Sequence, residues 1–450
     1  MIAGALLAIL LLAAVGLGVV ELTGAGRGRS PGARLVMALP LGLVAQAALA
    51  PVSLRLGLAP GPLPAALLAA ALGGAALLAR RRRPADARET TLAAPVSGSL
   101  RFAAASLALP LLLVALTAAL EPVVEWDVVA IWGLKAHWLA SGAGLAPFAD
   151  PAFASAHPDY PIGWPAALAL DPTWAGEPAW RASRLPGVAL LAAAAGLAAI
   201  WARPAGRRAA LLAASLVATL PIAAAQAARG LADLPLATLL LLAAGALDRW
   251  CTAGDRASLR VGAFALAGLP LITQEGIALA LALALVTLAR TPRARRRRSL
   301  ATLVATLGAI SLPWWLLALG LPAGRSPAPA ELTPARLLAG LDRLPELVRA
   351  LPEYLLAPAD WGALWPLVAI GLALALFRPR GDLGLALFLL APLPFYAAAT
   401  LAVDYPVDRL VEVTLSRLAL HFALLGAVVA ARGAARSGAL GTTSAPADAA

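Results

Sequence analysis

Apolar residues run through this chain in blocks of membrane-spanning length. Blocks at 2–20, 35–54, 62–79, 102–120, 186–202, 209–228 and 231–247 are followed by two shorter arms, 260–272 and 276–290. Four more blocks follow, at 299–320, 361–377, 383–401 and 415–431. A helix needs about 20 apolar residues to cross the hydrocarbon. The pattern therefore predicts an all-α polytopic membrane protein with about 11 full transmembrane helices. The two arms, at about 14 residues each, are too short to cross. They predict a hairpin over 260–290 that enters and leaves on one side, kinked at Pro270.

The polar stretches between blocks are mostly short, but 121–185 and 321–360 are long, and both contain amphipathic helical patterns. Ala130-Ile131-Trp132 through Trp138-Leu139 is one. Leu337-Leu338, Leu341, Leu344, Leu347-Val348 and Leu351 form the other, with Arg336, Asp342, Arg343, Glu346 and Arg349 on its opposite face. Such helices are expected to lie in the plane of the membrane interface. Residues 433–450 are small and polar, which predicts a disordered tail.

Composition agrees with the block pattern. The chain is 61% hydrophobic with mean hydropathy +0.82, against about 45–50% apolar residues in soluble domains. Met1 to Val20 has no basic leading region and is long enough to span, so it reads as the first helix rather than a cleaved signal. The net charge is +12, but the arginines cluster at span ends. They fall at Arg80 to Arg83, Arg207-Arg208, Arg293 with Arg295 to Arg298, and Arg378 with Arg380. This distribution excludes a nucleic-acid partner and follows the positive-inside rule. With the amino terminus outside, the cytoplasmic side holds 25 Arg against 11 basic residues outside, and the carboxy terminus is cytoplasmic. Cys251 is the only cysteine, so there is no disulfide framework.

Candidate chemistry concentrates on the outer side. Glu125 and Asp127 follow the fourth span, and carboxylates are costly at a membrane boundary unless used. In an extended segment, positions i and i+2 face one way. One carboxylate would then hold a divalent ion and the other act as a base, or both are solvated loop acids. Lys135 is the only Lys among 36 basic residues. It suits a phosphate oxygen or a tight ion pair, or it snorkels from an interfacial helix. His157-Pro158-Asp159-Tyr160-Pro161 is a Pro-stiffened loop that holds polar side chains in place. Asp233 begins a span, as a cap or a site residue. Glu275 sits at the hairpin apex beside Gln274, and Arg229 is a candidate partner for either acid. Arg417 and His421 share a helical face at the outer end of the last span, where Arg417 grips a phosphate or anchors the helix.

Together these pieces resemble the GT-C superfamily of membrane glycosyltransferases. They look most like the bacterial group that includes ArnT, the protein mannosyltransferases and Rgt-type lipopolysaccharide transferases. Glu125-Trp126-Asp127 matches an ExD motif after a span. Trp132 and Lys135-Ala136 match the amphipathic helix that follows it, and Asp159-Tyr160-Pro161 matches a Tyr-Pro element. Ala232-Asp233-Leu234-Pro235 and Gln274-Glu275-Gly276 resemble later elements, with Gln274 where Lys is common. Ser416-Arg417-Leu418 to His421 resembles a late Arg-x-x-x-His element.

The resemblance covers about 102–431. It implies a three-span amino-terminal extension with its cytoplasmic loop (1–100) and a catalytic module (101–320). An outer amphipathic segment with the last three spans (321–432) and the tail (433–450) complete the chain. It further implies inverting transfer from a polyprenyl-phosphate sugar to an envelope glycan, lipid or protein on the periplasmic face of the plasma (inner) membrane. Asp127 would be the base, and Glu125 would assist or hold Mg or Mn. Lys135, His157, Arg417 and His421 would bind the donor phosphate, with Asp159 and Tyr160 in the same loop. Asp233 and Glu275 would line the lipid-sugar cavity. Two other classes remain: a transporter or lipid-linked-saccharide flippase, and a non-catalytic envelope-assembly subunit.

Overall fold

A computed structural model describes residues 2–81, 98–176, 184–322, 333–377, 383–403, 406–411 and 415–437. Arg82-Arg83, Arg378 with Arg380, and the tail beyond 437 lie outside the described residues. Among the described residues every regular element is helical. Eight helices are long and apolar enough to cross a membrane: Ile2–Thr23, Pro31–Arg55, Pro62–Ala79, Leu185–Ala205, Asp233–Ala253, Arg293–Ala318, Leu383–Ala402 and Arg417–Arg436. The chain is thus a polytopic all-α membrane protein.

The block at 209–228, read from the sequence as one span, is broken. Arg207–Ala218 and Pro221–Arg229 meet at 53°, the geometry of a broken span or of a re-entrant loop. Pro221 has no N–H to donate and drives the residue before it out of the helical region. Leu220 accordingly sits at φ −69°, ψ 113°. Two other predicted spans hold shorter apolar helices, Leu107–Leu120 and Leu364–Phe377.

A hairpin is present over 256–290, but it is deeper than the sequence predicts from arms too short to cross. Arg256–Gly268 leads through a tight turn at Leu269–Leu271 into Glu275–Arg290. Arg290 Nη1 meets Asp248 Oδ1 at 2.6 Å, while Glu275, at the other end of its helix, acts electrostatically on the same arginine as Asp233. Asp233 to Asp248 and Glu275 to Arg290 are equal intervals of roughly 22 Å at 1.5 Å per residue. The Asp233 and Glu275 helices therefore run parallel, with Arg256–Gly268 returning antiparallel. The apex comes level with the start of the Asp233 span.

Small residues set the closest packing. A Cβ on Gly42 would lie 1.9 Å from the Leu12 carbonyl oxygen, and one on Gly16 would lie 1.8 Å from that of Ala38. Helices Ile2–Thr23 and Pro31–Arg55 thus cross backbone to backbone, the usual way of packing helices in lipid. Pro31–Arg55 also packs on Leu185–Ala202, Gly163–Leu168 and Arg293–Ala318, so the amino-terminal helices are built into the body of the bundle rather than appended to it.

The segment after Leu120 folds over one end of the bundle. The helix expected to lie in the interface is instead buried: Ile131, Trp132, Lys135, Trp138 and Leu139 are all inside. It packs on Gly163–Leu168 and Pro172–Ala175, and Trp138 stacks edge-on with Phe148 and Phe153. The loop's own aromatics cover the apolar face that the pattern assigned to lipid. Trp164 Nε1 ties this layer down by donating to the Gly230 carbonyl at 2.7 Å. Gly4 abuts Asp171 of the same layer, so the start of the first helix lies at this end. Arg27, Arg29, Arg249, Arg256 and Arg260 line one cavity at the other end.

Candidate functional site

Asp127, Asp233, Arg417 and His421 come together although the chain separates them widely. Asp233 opens its span, and Arg417 and His421 lie one turn apart at the start of Ser416–Arg436. Arg417 Nε donates to Asp233 Oδ2 at 3.0 Å, and Arg417 Nη1 donates to Asp127 Oδ2. One guanidinium bridges two carboxylates in a fork geometry that lysine cannot reproduce. Asp233 is almost fully buried, whereas Arg417 and Asp127 keep 32% and 26% of their side chains exposed. The mouth is open and the floor is closed.

The chain of contacts continues inward. His421 Nε2 meets Asp233 Oδ1 at 3.1 Å, and Tyr396 OH meets His421 Nδ1 at 2.7 Å. An ionised carboxylate only accepts, so with a neutral ring Nε2 carries the proton and Nδ1 accepts from the tyrosine hydroxyl. Glu275 lies close enough to act electrostatically on both Arg417 and Tyr396.

The Pro-stiffened loop forms the adjoining wall. Lys135 is fully buried, and its Nζ donates to the carbonyls of His157 at 2.6 Å and Tyr160 at 2.9 Å. It holds the loop and does not snorkel. Burial pushes the Lys135 ammonium down to about 7, against the pull of Asp159. His157 takes a left-handed backbone conformation, φ 49°, and its ring stacks on Tyr160 at 4.6 Å. Burial lowers the His157 pKa, against the pull of Asp159 and Asp127. Among the described residues its buried Nδ1 has no hydrogen-bond partner. Gln274 Nε2 donates to Asp159 Oδ2 at 3.2 Å, joining this loop to the hairpin apex.

Glu125 stands apart. Only an extended segment would aim both carboxylates one way, and here a helix begins instead: the N–H groups of Val128 and Val129 both bond the Glu125 carbonyl. The two carboxylates therefore diverge. Glu125 faces Arg229 at 3.5 Å, with both side chains well exposed, and Asp127 faces Arg417. Arg229 is thus the partner of Glu125, and Arg417 is the partner of Asp233. The pair does not fit a divalent ion, because each carboxylate is held by its own guanidinium. Among the described residues no three His, Cys, Asp or Glu side chains converge on a metal position.

Two residues escaped the sequence reading. Tyr396 was hidden inside an apolar block, although a buried tyrosine hydroxyl needs a partner and so flags itself. Arg184 is buried and donates to the carbonyls of Thr117, Ala118 and Glu121. It satisfies the end of Gly98–Leu120, where carbonyls otherwise lack partners, and so fixes the segment carrying Asp127.

One cavity adjoins the array through Tyr396, and a second lies beside the Glu125–Arg229 pair. An apolar groove of about 410 Å³ is lined by Leu347, Leu351, Trp365, Leu418 and Phe422, with Tyr396 in its wall. One side is the leucine face of Leu344–Leu355, the second amphipathic pattern in the sequence. The second, of about 760 Å³, has a mixed lining that includes Gln226, Arg229, Glu353, Tyr354, Asp360 and Asp408. Among the described residues the buried Oε1 of Gln226 has no hydrogen-bond partner. Compared with known protein families, curated proteins and solved structures, the chain shows no match.

Proposed function

We propose that this chain is a membrane glycosyltransferase that moves a sugar from a polyprenyl-phosphate donor to a hydroxyl acceptor on the non-cytoplasmic face. The observation that carries this reading is Tyr396, which belongs to both the apolar groove and the charged array. One molecule that is greasy at one end and phosphorylated at the other fits that junction.

In this reading the isoprenoid chain lies in the Leu347–Phe422 groove and the donor phosphate reaches Arg417. The phosphate competes with Asp127 for the guanidinium, and Asp127 is released as the base. It takes the proton from the acceptor hydroxyl, whose oxygen attacks the anomeric carbon. The bond from that carbon to the phosphate oxygen breaks, its electron pair leaves with polyprenyl phosphate, and configuration inverts. Glycosyl transfer builds positive charge on the sugar, which suits an array with Asp127, Asp233, Glu275 and Asp159 against Arg417 and Lys135. Arg417 stabilises the charge that develops on the leaving phosphate. The 760 Å³ cavity beside Arg229 receives the acceptor, a glycan, lipid or protein of the cell envelope. Because Glu125 and Asp127 do not fit a metal, no step is routed through Mg or Mn.

The full reading counts Arg207–Ala218 with Pro221–Arg229 as one further crossing, and Leu107–Leu120 and Leu364–Phe377 as two more. That brings the spans to eleven in a bacterial plasma membrane, with the amino terminus outside.

The test offers purified protein in lipid nanodiscs a panel of polyprenyl-phosphate sugars and follows free polyprenyl phosphate by mass spectrometry. Release by the wild type that disappears in Asp127→Asn is expected. No release across the panel overturns the donor assignment.

One observation favours a second reading. The buried Asp233–His421–Tyr396 chain has the composition of a proton relay in a transporter, and the break at Leu220 adds an interrupted span. Substrate flux into liposomes driven by a pH gradient, without release of polyprenyl phosphate, would select it.

A further inference from the structure

The cavity of about 760 Å³ beside Arg229 carries more acid than base. Glu353, Asp360 and Asp408 line it, and Arg229 is the only basic residue in the lining. Arg229 turns to Glu125 at 3.5 Å, and Glu125 is not part of the lining. The arginine's charge is therefore matched from outside the cavity. Among the described residues no side chain pairs with Glu353, Asp360 or Asp408, so three negative charges face one hollow uncompensated.

Acids at an exposed helix end are ordinary surface when taken alone. Gln226 makes this hollow different. It lines the same cavity and is 6% exposed, and among the described residues its buried Oε1 has no hydrogen-bond partner. Leaving a buried acceptor without a donor costs free energy. Water meets such an oxygen in many cavities, but water brings no charge to the three carboxylates beside it. A carboxamide oxygen and ionised carboxylates only accept. The ligand that suits all four groups therefore donates hydrogen bonds and carries positive charge, which describes an ammonium.

The rest of the wall is apolar. Ile222, Ala350 and Val411 form part of it, and the Tyr354 ring is held edge-on by Trp361 at 6.2 Å. Pockets of this mixed kind suit a ligand with apolar faces and polar edges. A sugar ring has both, whereas a flexible cationic chain would leave the apolar wall uncovered.

We propose that this cavity binds an amine-bearing glycan, with its ammonium groups toward Glu353, Asp360 and Asp408 and a donor on Gln226 Oε1. The inference rests on the reading that this cavity receives the acceptor, and it names the acceptor's chemical class. A protonated amine has no lone pair with which to attack. The amines then anchor the glycan, and one of its hydroxyls takes the sugar.

Binding is read by calorimetry with full-length protein in phosphatidylcholine nanodiscs, without donor, at about pH 6, below the ~7.7–8.0 of an ordinary α-amino group. The probes are a glucosamine tetramer, its fully N-acetylated counterpart and tetralysine. The proteins are wild type, Asp360→Asn/Asp408→Asn, Glu353→Gln, Gln226→Leu and the control Asp342→Asn/Glu346→Gln, whose acids are exposed but outside the lining. Wild type and control should bind the glucosamine tetramer. The acetylated tetramer on wild type, and the glucosamine tetramer on the double cavity variant, should bind ~tenfold more weakly or worse, given the lost charge-assisted contacts. Gln226→Leu should weaken binding several-fold. Equal affinity for the amine and acetylated tetramers overturns the proposal, and so does tighter binding of tetralysine, which would assign a basic peptide. Equal binding by wild type and the double variant overturns the site. If the double variant is not monodisperse, Glu353→Gln decides in the same way, because its side chain is exposed. Release of polyprenyl phosphate is measured separately. Release without amine binding overturns this inference and leaves the transfer reading. Amine binding that the cavity variants weaken, without release from any donor, keeps the site and overturns the transfer.

Discussion

Arg417 Nε donates to Asp233 Oδ2 at 3.0 Å across 184 positions of sequence. Asp233 is 4% exposed, so the contact lies where removing one partner is expensive. Cutting a buried pair costs about 3–5 kcal/mol. Asp233→Ala should fall near the lower end, because Arg417 keeps Asp127. A double-mutant cycle with Arg417→Ala, read by thermal unfolding in detergent, should give a coupling of about 1–3 kcal/mol. Strict additivity would mean that the two side chains do not support each other.

Asp127 and Glu125 should behave differently despite lying two residues apart. Glu125 and Arg229 form an exposed pair, worth about 0.2–1 kcal/mol, outside the bridged array. Glu125→Gln is therefore expected to keep polyprenyl-phosphate release within a few-fold of wild type. In the proposed transfer Asp127 is the base, so Asp127→Asn should cost about 10²–10⁴ in rate. Equal losses from both variants would return Glu125 to the chemistry.

Lys135 predicts a pH dependence. Its pKa is about 7 in the folded protein, below the ~10.4 of a free lysine. Between those values the unfolded chain binds a proton that the folded protein does not. Stability therefore rises with pH through this window, and below about 7 the burial penalty is fully present. The midpoint of thermal unfolding should climb from pH 7 to pH 10 in wild type, and this slope should be shallower in Lys135→Met. His157, lowered from its ordinary value, acts in the same direction at lower pH. An unchanged slope in Lys135→Met would assign the dependence to other groups.

Much of this arrangement was legible in the sequence, for reasons that differ by residue. Spans and the presence of the hairpin, though not its depth, follow from run length, which lipid imposes directly. Asp127, Asp233, Glu275, Arg417 and His421 were visible because ionisable groups beside apolar runs are conspicuous. Pairing was not visible: Arg229 was a candidate partner for Asp233 or Glu275, but the helix that begins at Glu125 turns that carboxylate toward Arg229 instead. The break at Leu220 was signalled by Pro221 and masked by the apolar run around it. The burial of Trp132–Leu139 depends on aromatics contributed by Phe148 and Phe153, which no local pattern reveals. Tyr396 was lost in a block read only for hydropathy.

Gly42 provides a test of the fold that is independent of function. Its Cα faces the Leu12 carbonyl so closely that any Cβ would stand 1.9 Å from the oxygen. The obstacle is backbone, so a rotamer change cannot relieve it. Gly42→Ala must push two helices apart at their crossing, and overpacking of this kind costs about 1–3 kcal/mol. Gly28 is a contrasting position, with open space around its Cβ direction but a φ of 62°, so Gly28→Ala meets backbone strain alone. The open Gly308, where nothing lies within 4 Å, should accept alanine with no loss. Thermal unfolding of the three variants should therefore rank Gly308→Ala with wild type and Gly42→Ala lowest. Because Pro31–Arg55 also packs on the Gly163–Leu168 layer, Gly42→Ala should loosen that layer as well, read as faster proteolysis within 121–176. A Gly42→Ala protein as stable as wild type would mean that the two amino-terminal helices do not cross at this point.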